Sequence, residues 1–519
     1  MEETANKPWR PSKELLLMTF AVMLTTFMVV LDSSIANVAL PKIAGSFSYT
    51  QDESVWVLTS YLVANGVILP STAWFSDIFG RKNFLIICTV VFTLASAMCG
   101  LAVSMPMLIL SRVIQGLGGG AIIPIAQAIL LESFPVEKRG LGMSIFGIGV
   151  VIAPVIGPTL GGWITDTYSW NWIFLINLPI GILAIIFTYL FVNDPEYARK
   201  KDKAVKIDYI GFAFLIVWLF SLQYILDNGQ KNDWFETLWV RNLFALMLAS
   251  FFAFIVRELK TRNPIVDLRI FVDRNFAIGN ILAGFIGGIV YSTLAILPLF
   301  MQHLLGYTAT LSGLAISPRG FGALAGLFIC ALLGGKLDDR HTISLGFLSL
   351  AISCFMFGSL NLEISIANVI FPNIICGIGF SLVLVPLSTI TFLTLKNSAM
   401  TNGSGIFSLT RSVGGAIGVS LVSTIISRHS QIHQAYLVKN LSIGNSVFNE
   451  QFAALKAGLA AIAGNAAAEA KAGYLLYMRL IQQSTLLAFM DCFKIAGVLC
   501  LGLIPFVYLL KNKANKEQN

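Results

Sequence analysis

Four ionisable side chains stand where charge is costly. Asp32 is the only charged residue between Leu15 and Pro41, and Arg112, Arg319 and Arg411 lie in similarly apolar runs. A charge at mid-bilayer costs about 2.5–3.5 kcal/mol on insertion scales, so such residues ordinarily face a pathway or one another. Two chemistries suit a withdrawn carboxyl. One is a structural Asp–Arg pair. The other is proton exchange, because burial alone can carry a carboxyl's proton affinity into the neutral range while a nearby cation opposes that shift. Cationic cargo and a proton then compete for one carboxylate, and such competition amounts to exchange.

Other constellations point away from enzymes. The chain contains no GxxxxGK[ST] phosphate loop and no GxSxG elbow, which argues against ATP hydrolysis and acyl transfer. His429 and His433 sit one helical turn apart, but the neighbouring sequence supplies neither a third ligand nor a catalytic Glu, so neither a metal nor any cofactor besides a coupling proton is expected. The seven cysteines all lie in apolar segments, are odd in number and lack CxxC spacing; they read as small core residues.

The elements that must hold these charges follow from composition. Of 519 residues, 56% are hydrophobic and 12% charged, the balance of an integral membrane protein. A net charge of +8 would suggest nucleic acid in a water-soluble chain; here the bases gather in short breaks between apolar runs and act as topology signals. About 20 apolar residues cross a bilayer, and about fourteen such runs occur, the first over 14–38 and the last over 485–510. The first is too long for a cleaved leader's core. Bases cluster at Gly80 to Lys82, Glu137 to Arg139, Ala198 to Lys206, Arg257 to Arg262 and in the tail, which predicts an even span count with both termini cytoplasmic. The stretch 428–484 is apolar but interrupted by Lys456, Lys471 and Arg479, and is expected to be an extracytoplasmic loop with partial helix.

Two breaks echo each other. Ser76 to Lys82 (SDIFGRK) follows span two and Gly334 to His341 (GGKLDDRH) follows span ten, so the two occupy the same place in two six-span halves if spans seven and eight are an insertion. The expected partition is a tail 1–13, a six-helix bundle 14–193, a linker with two inserted helices 194–262, a second bundle 263–510 and a tail 511–519. Gly pairs at four-residue spacing recur inside spans, which suits close helix packing. Ala153 to Gly162 (APVIGPTLGG) adds Pro154 and Pro158, which remove backbone hydrogen bonds and let a helix pivot.

In these residues the chain resembles the major facilitator superfamily, and within it the fourteen-span drug:proton antiporters of the EmrB/QacA type. LDSSIANVALP (Leu31 to Pro41) is similar to the first-span signature, FSDIFGRK to the gating loop, RVIQGLGGG (Arg112 to Gly120) to the fourth-span motif, GPTLGG (Gly157 to Gly162) to the antiporter motif and WNWIFLINLPIG (Trp170 to Gly181) to a further signature. Departures are Ala73 for Gly, Asn171 for Arg and Ser33 for Thr; Asn171 is expected to weaken a contact at the outer end of spans five and six. The resemblance implies an all-α major facilitator fold of two six-helix bundles plus two inserted helices. It implies Asp32 as the proton and substrate-coupling carboxylate, with Arg112 modulating it. Asp77, Gly80, Arg81 and Lys82 would latch the cytoplasmic side; Pro154, Gly157, Pro158, Gly161 and Gly162 would form the antiporter hinge. Span position alone nominates Trp56, Tyr61, Asn65 and Gln115, with Arg319 and Arg411, for a drug cavity; Trp56 and Tyr61 also suit interface anchors. The implied function is proton-driven efflux of amphipathic compounds across the inner membrane, with a periplasmic membrane-fusion adaptor and a TolC-like outer-membrane channel as partners and 428–484 as a docking surface. Dedicated export of fatty acids or a siderophore, and a transport-incompetent sensor, remain as alternatives.

Overall fold

The computed structural model describes residues 11–49, 51–54, 56–135, 138–194, 208–262, 264–333, 337–442, 444–463 and 465–511. Among them, fourteen helices are long and apolar enough to cross a bilayer. They are α1 (Lys13–Asn37), α2 (Trp56–Phe79), α3 (Arg81–Gly100), α4 (Met105–Ser133), α5 (Arg139–Thr167), α6 (Trp172–Phe191), α7 (Tyr209–Asn228), α8 (Leu238–Lys260), α9 (Arg274–His303), α10 (Leu311–Leu333), α11 (Asp339–Phe357), α12 (Ala367–Phe392), α13 (Met400–Asn440) and α14 (Ala467–Val507). The first helix runs on without a break to Phe47. The protein is therefore a multi-pass membrane protein. In the bilayer core no water can satisfy a free N–H or C=O, which is why the long apolar runs close their own backbone bonds as helices.

Helix starts are set by polar side chains at the ends of apolar runs. Ser12, Ser104, Asp273 and Thr308 each accept a hydrogen bond from the backbone N–H three residues on. Asp208 caps α7 in a related way, accepting from Gly211 N–H, and its carboxyl also receives Arg257 and Thr261. Burial pushes the Asp208 carboxyl up, but these donors outweigh it and hold it below its ordinary value.

Helices α1–α6 pack into one bundle and α9–α14 into a second, with α5 against α10 and α12, and α13 against α2 and α4, at the seam. The inserted pair α7 and α8 pack on each other, and α7 lies against both α2 and α13. Thr59 of α2 donates to Asp227 of α7 at 3.0 Å, and Ser420 of α13 donates to the carbonyl of Leu226 at 2.8 Å. One inserted helix thus ties both bundles on a single face. The opposite face carries both described chain ends, Arg81, Lys82, Arg139, Arg257, Arg340 and Lys511, and is called the basic face below. Asn275 at the start of α9 holds Lys511 by two bonds, which brings the chain end back to that face.

The stretch 428–484, expected to be an extracytoplasmic loop with partial helix, is helical over most of its described residues. Helix runs through Met400–Leu437, resumes as Ser446–Ala463 and continues over Asn465–Val507. At 1.5 Å per residue, those first and last helices measure about 57 and about 65 Å, roughly twice the hydrocarbon core. They therefore project beyond the bilayer on the face opposite the basic one, with Ser446–Ala463 packed on the extension of α14. Lys456 and Lys471, which interrupt the apolar pattern, mark solvent-facing turns of helix, and Lys456 pairs with Glu469 at 2.6 Å.

Candidate functional site

Asp32 and Arg112 meet inside the first bundle. Arg112 Nη1 donates to Asp32 Oδ2 at 2.6 Å, with both side chains withdrawn from solvent. Gln115 lies one helical turn from Arg112 on α4 and donates to Asp32 Oδ1 at 2.9 Å, while its own carbonyl accepts Arg112 Nη1 at 2.7 Å. Asn177, near the start of α6, donates to the same Oδ1 at 2.7 Å and to Ser96 Oγ of α3 at 3.0 Å. Ser96 passes the chain on to the carbonyl of Phe174 at 2.8 Å. Arg112 Nε is spent on the carbonyl of Val57 at 3.1 Å, and the guanidinium lies 4.2 Å from the Tyr61 ring centroid and 5.6 Å from that of Phe174.

Asp32 accepts every one of these bonds, from Arg112, Gln115 and Asn177. Two charges removed from water are stable only with such geometry, and removing one partner of a buried pair costs about 3–5 kcal/mol. The network is incomplete in two places: Arg112 Nη2 and Asn177 Oδ1 are buried without a partner. Five helices, α1, α2, α3, α4 and α6, are tied to one carboxyl. A proton on Asp32 would cancel the charge that anchors Arg112 and remove an acceptor from the amides, loosening all five at once.

Of the residues placed in a cavity by span position, Gln115 and Tyr61 belong to this cluster, and Asn65 touches it through a 3.4 Å bond to the Tyr61 hydroxyl. Trp56 packs on Tyr224 of α7. Arg319 lies in the second bundle, bonded to Asn373 at 3.1 Å and Thr293 at 3.3 Å, with Nη2 buried and unpartnered. Arg411 lines a small cleft between the bundles with Gln127, Met143, Phe146 and Ser388. Neither arginine reaches Asp32. Sequence reasoning missed Asn177 and Ser96 as site residues; Asn177 sits inside the quoted WNWIFLINLPIG stretch, and its polar amide in an apolar run was the available signal.

The glycines of α5 bear on the same place. A methyl at Gly157 would lie 2.5 Å from Ser34 Oγ, and one at Gly161 would lie 2.9 Å from Ile35 Cγ2. The close approach of α5 to α1 therefore falls within three residues of Asp32. Pro158 has no N–H for the carbonyl of Pro154, and that carbonyl accepts a long bond from Ser34 at 3.5 Å. The helix is continuous across both prolines, Pro154 is exposed and Gly162 half-buried.

At the basic face, Gly80 adopts φ 79°, a conformation that favours glycine, and a methyl there would lie 2.9 Å from Asp194 Oδ2. Asp194 accepts the backbone N–H of Lys82 at 2.8 Å, Lys82 lies over the Tyr189 ring, and Arg81 pairs with Glu132 at the end of α4. These partners of the gating loop all belong to the first bundle; Asp77 is exposed and engaged. Other contacts cross the seam. Ser404 donates to the carbonyl of Pro124 at 2.8 Å, Arg139 to Asn397 at 3.2 Å, and a methyl at Gly405 would lie 2.5 Å from the carbonyl of Leu69. The halves nearest the basic face are thus closed on each other. Asn171, expected to weaken a contact at the outer end of spans five and six, donates to the carbonyl of Gly100 at 2.8 Å and so caps that end of α3.

The second bundle answers the first at one more point. The GGKLDDRH break falls between α10 and α11, the place in its bundle that the gating loop holds between α2 and α3, and Arg340 there pairs with Asp338 at 3.0 Å. Residues 334–336 lie outside the described residues.

Residues 22–419 match the family described as Major Facilitator Superfamily. The chain belongs to that superfamily. It is 35% identical over 431 residues to the multidrug export protein EmrB of Escherichia coli strain K12, covering 83% of each chain. It is 34% identical over 435 residues to EmrB of Haemophilus influenzae, covering 83% of this chain and 84% of that one. The fatty acid resistance protein FarB of Neisseria gonorrhoeae is 34% identical over 497 residues, 95% of each chain. Among solved structures, the human organic anion transporter MFSD10 superposes with a TM-score of 0.61 at 14% identity, covering 94% of this chain and 100% of that one. The proton:xylose symporter XylE follows at 0.60 and 12%, over 96% and 97%. These two bear on the fold, which is the major facilitator fold expected from the motifs. The chain stands close to the EmrB branch.

The histidine pair also gains what the sequence did not offer. Asp491 of α14 supplies a carboxylate to both His429 and His433.

Proposed function

We propose that the protein exports amphipathic small molecules by exchange with protons, through alternating access of its two bundles. The observation that carries this reading is the Asp32 network: one carboxylate, isolated from water, whose charge state decides whether five helices stay tied together. The similarity to the EmrB proteins supports the cargo class. Cargo does not touch Asp32 in the conformation described, because Tyr61 and Arg112 cover it. Coupling therefore runs through the conformational change, with proton and cargo favouring different arrangements of the bundles, rather than through displacement at one carboxylate. A membrane potential of 100 mV adds about 2.3 kcal/mol per charge moved.

On the positive-inside rule the basic face is cytoplasmic and both termini face the cytoplasm; the similarity to bacterial multidrug export proteins supports the bacterial inner membrane as the location. The projection of α13, Ser446–Ala463 and α14 is then extracytoplasmic, and exposes Ile432, Tyr436, Val447, Tyr474 and Tyr477. It is the surface assigned here to a periplasmic adaptor that leads to an outer-membrane channel. A second reading, export of fatty acids, draws on the FarB similarity and on Arg411, whose Nε is buried without a partner at the seam and offers a cation to a carboxylate head group.

Inverted membrane vesicles test the first reading. Cargo uptake should follow an imposed pH gradient, stop with an uncoupler and fall at least tenfold in Asp32→Asn. Full gradient-driven uptake by Asp32→Asn would remove the coupling role. Loss of fatty acid movement alone in Arg411→Gln would favour the second reading.

A further inference from the structure

Where α13 and α14 leave the bilayer, three ligand-type side chains converge from two helices. His429 Nδ1 and His433 Nε2 each lie 2.8 Å from Asp491 Oδ2, and the three ligand atoms all fall within 4.8 Å of one another. The level is fixed by α11: a methyl on Gly358, just past its end, would lie 3.3 Å from the carbonyl of Met490. The cluster thus sits at the root of the projection, on the face opposite the basic one. It is not sealed in the core, for the three side chains are between 26% and 36% exposed, so an ion can enter from water.

We propose that His429, His433 and Asp491 form a binding site for a divalent transition-metal ion, with zinc the best match. Two imidazoles and one carboxylate are the ligand types of three-ligand zinc centres, and imidazole is a strong ligand for zinc, nickel and copper while magnesium and calcium prefer all-oxygen sets. Bonds of about 2.0–2.2 Å in a tetrahedral set put ligand atoms about 3.4 Å apart. The two nitrogens have to draw back from Oδ2 by about half an ångström and, from a separation within 4.8 Å, settle about 3.4 Å from each other, an adjustment made by side-chain rotation. The i, i+4 spacing of the histidines on one helix keeps both rings on one face. Three protein ligands leave a position for water or for a group from a docked partner.

The consequence is mechanical. The histidines belong to α13 and the aspartate to α14, so an ion cross-links the two helices that carry the projection, below Ser446–Ala463. Beside the cluster, Ser430 and Thr485 bridge the same two helices by their hydroxyls, at 3.2 Å. A metal there stiffens the stem that presents Ile432, Tyr436 and Tyr474. The site does not depend on proton coupling, and its test needs no transport.

The full-length protein, purified in detergent and stripped with chelator, is titrated with zinc by calorimetry and with cobalt by visible absorption. The chain's other two histidines, His303 and His341, lie on other helices, so background binding is low. The expected result is one equivalent, a cobalt d–d band, and at least a tenfold loss of affinity in both H433Q and D491N. H433Q keeps a hydrogen-bonding group at Asp491, which separates lost ligation from lost packing. Hydrogen exchange should slow on zinc addition in 428–440 and 480–491 of the wild type alone. No binding, or binding and protection unchanged by both variants, overturns the proposal.

Discussion

At the scale of the residue, the account turns on Asp32 being both costly and fully engaged. Its three donors come from Arg112, Gln115 and Asn177, and the pair with Arg112 is stable only while both members are present. Asp32→Leu and Arg112→Met should each lower the protein's thermal stability, by about 3–5 kcal/mol where a buried partner is left unpaired. The double variant should recover most of that loss, since it leaves no orphaned charge. Thermal melts of the four proteins form a double-mutant cycle, and additive losses would contradict the pairing. The sequence made this pair legible because charges in apolar runs are few. It did not reveal Asn177 and Ser96, whose neutral side chains are cheap enough in a membrane to escape notice.

At the scale of the element, glycines decide which helices can approach. Gly157 and Gly161 let α5 lie on the turn of α1 that carries Ser34 and Ile35, so α5 senses the turn beside Asp32. Gly405 lets α13 reach the backbone of Leu69 across the seam, and a carbonyl in a helix cannot step aside as a flexible side chain can. Gly405→Leu should therefore open the basic-face half of the seam while leaving each bundle folded. A cysteine in place of the buried Ser404 should react with a water-soluble maleimide several times faster in the Gly405→Leu background than alone, the seven native cysteines all being buried. Equal rates would show that this contact does not hold the seam. The helix count was readable from apolar run length. The extension of α13 and α14 into the projection was not, because its charges resemble those of a loop and its helicity comes from packing of three segments against one another.

At the scale of the whole molecule, two bundles close on the basic face through Ser404, Arg139 and Gly405, and α7 ties both of them on the opposite face through Thr59 and Ser420. On the proposed alternating access, a rocking motion would break one set of contacts and keep the other, and protonation of the carboxyl network inside the first bundle would bias that choice. The similar breaks after α2 and α10 could be read from sequence, whereas the seam hydrogen bonds join residues 258 and 280 apart in the chain and have no local signal. The most direct test of the claim that cargo and proton exclude each other is proton release on cargo binding, read with a pH-sensitive dye in weakly buffered detergent solution. Adding an amphipathic compound that the vesicles transport should release protons from the wild type and none from Asp32→Asn, provided binding itself is confirmed in both. Equal release from both proteins, or binding by the wild type without release, would contradict it.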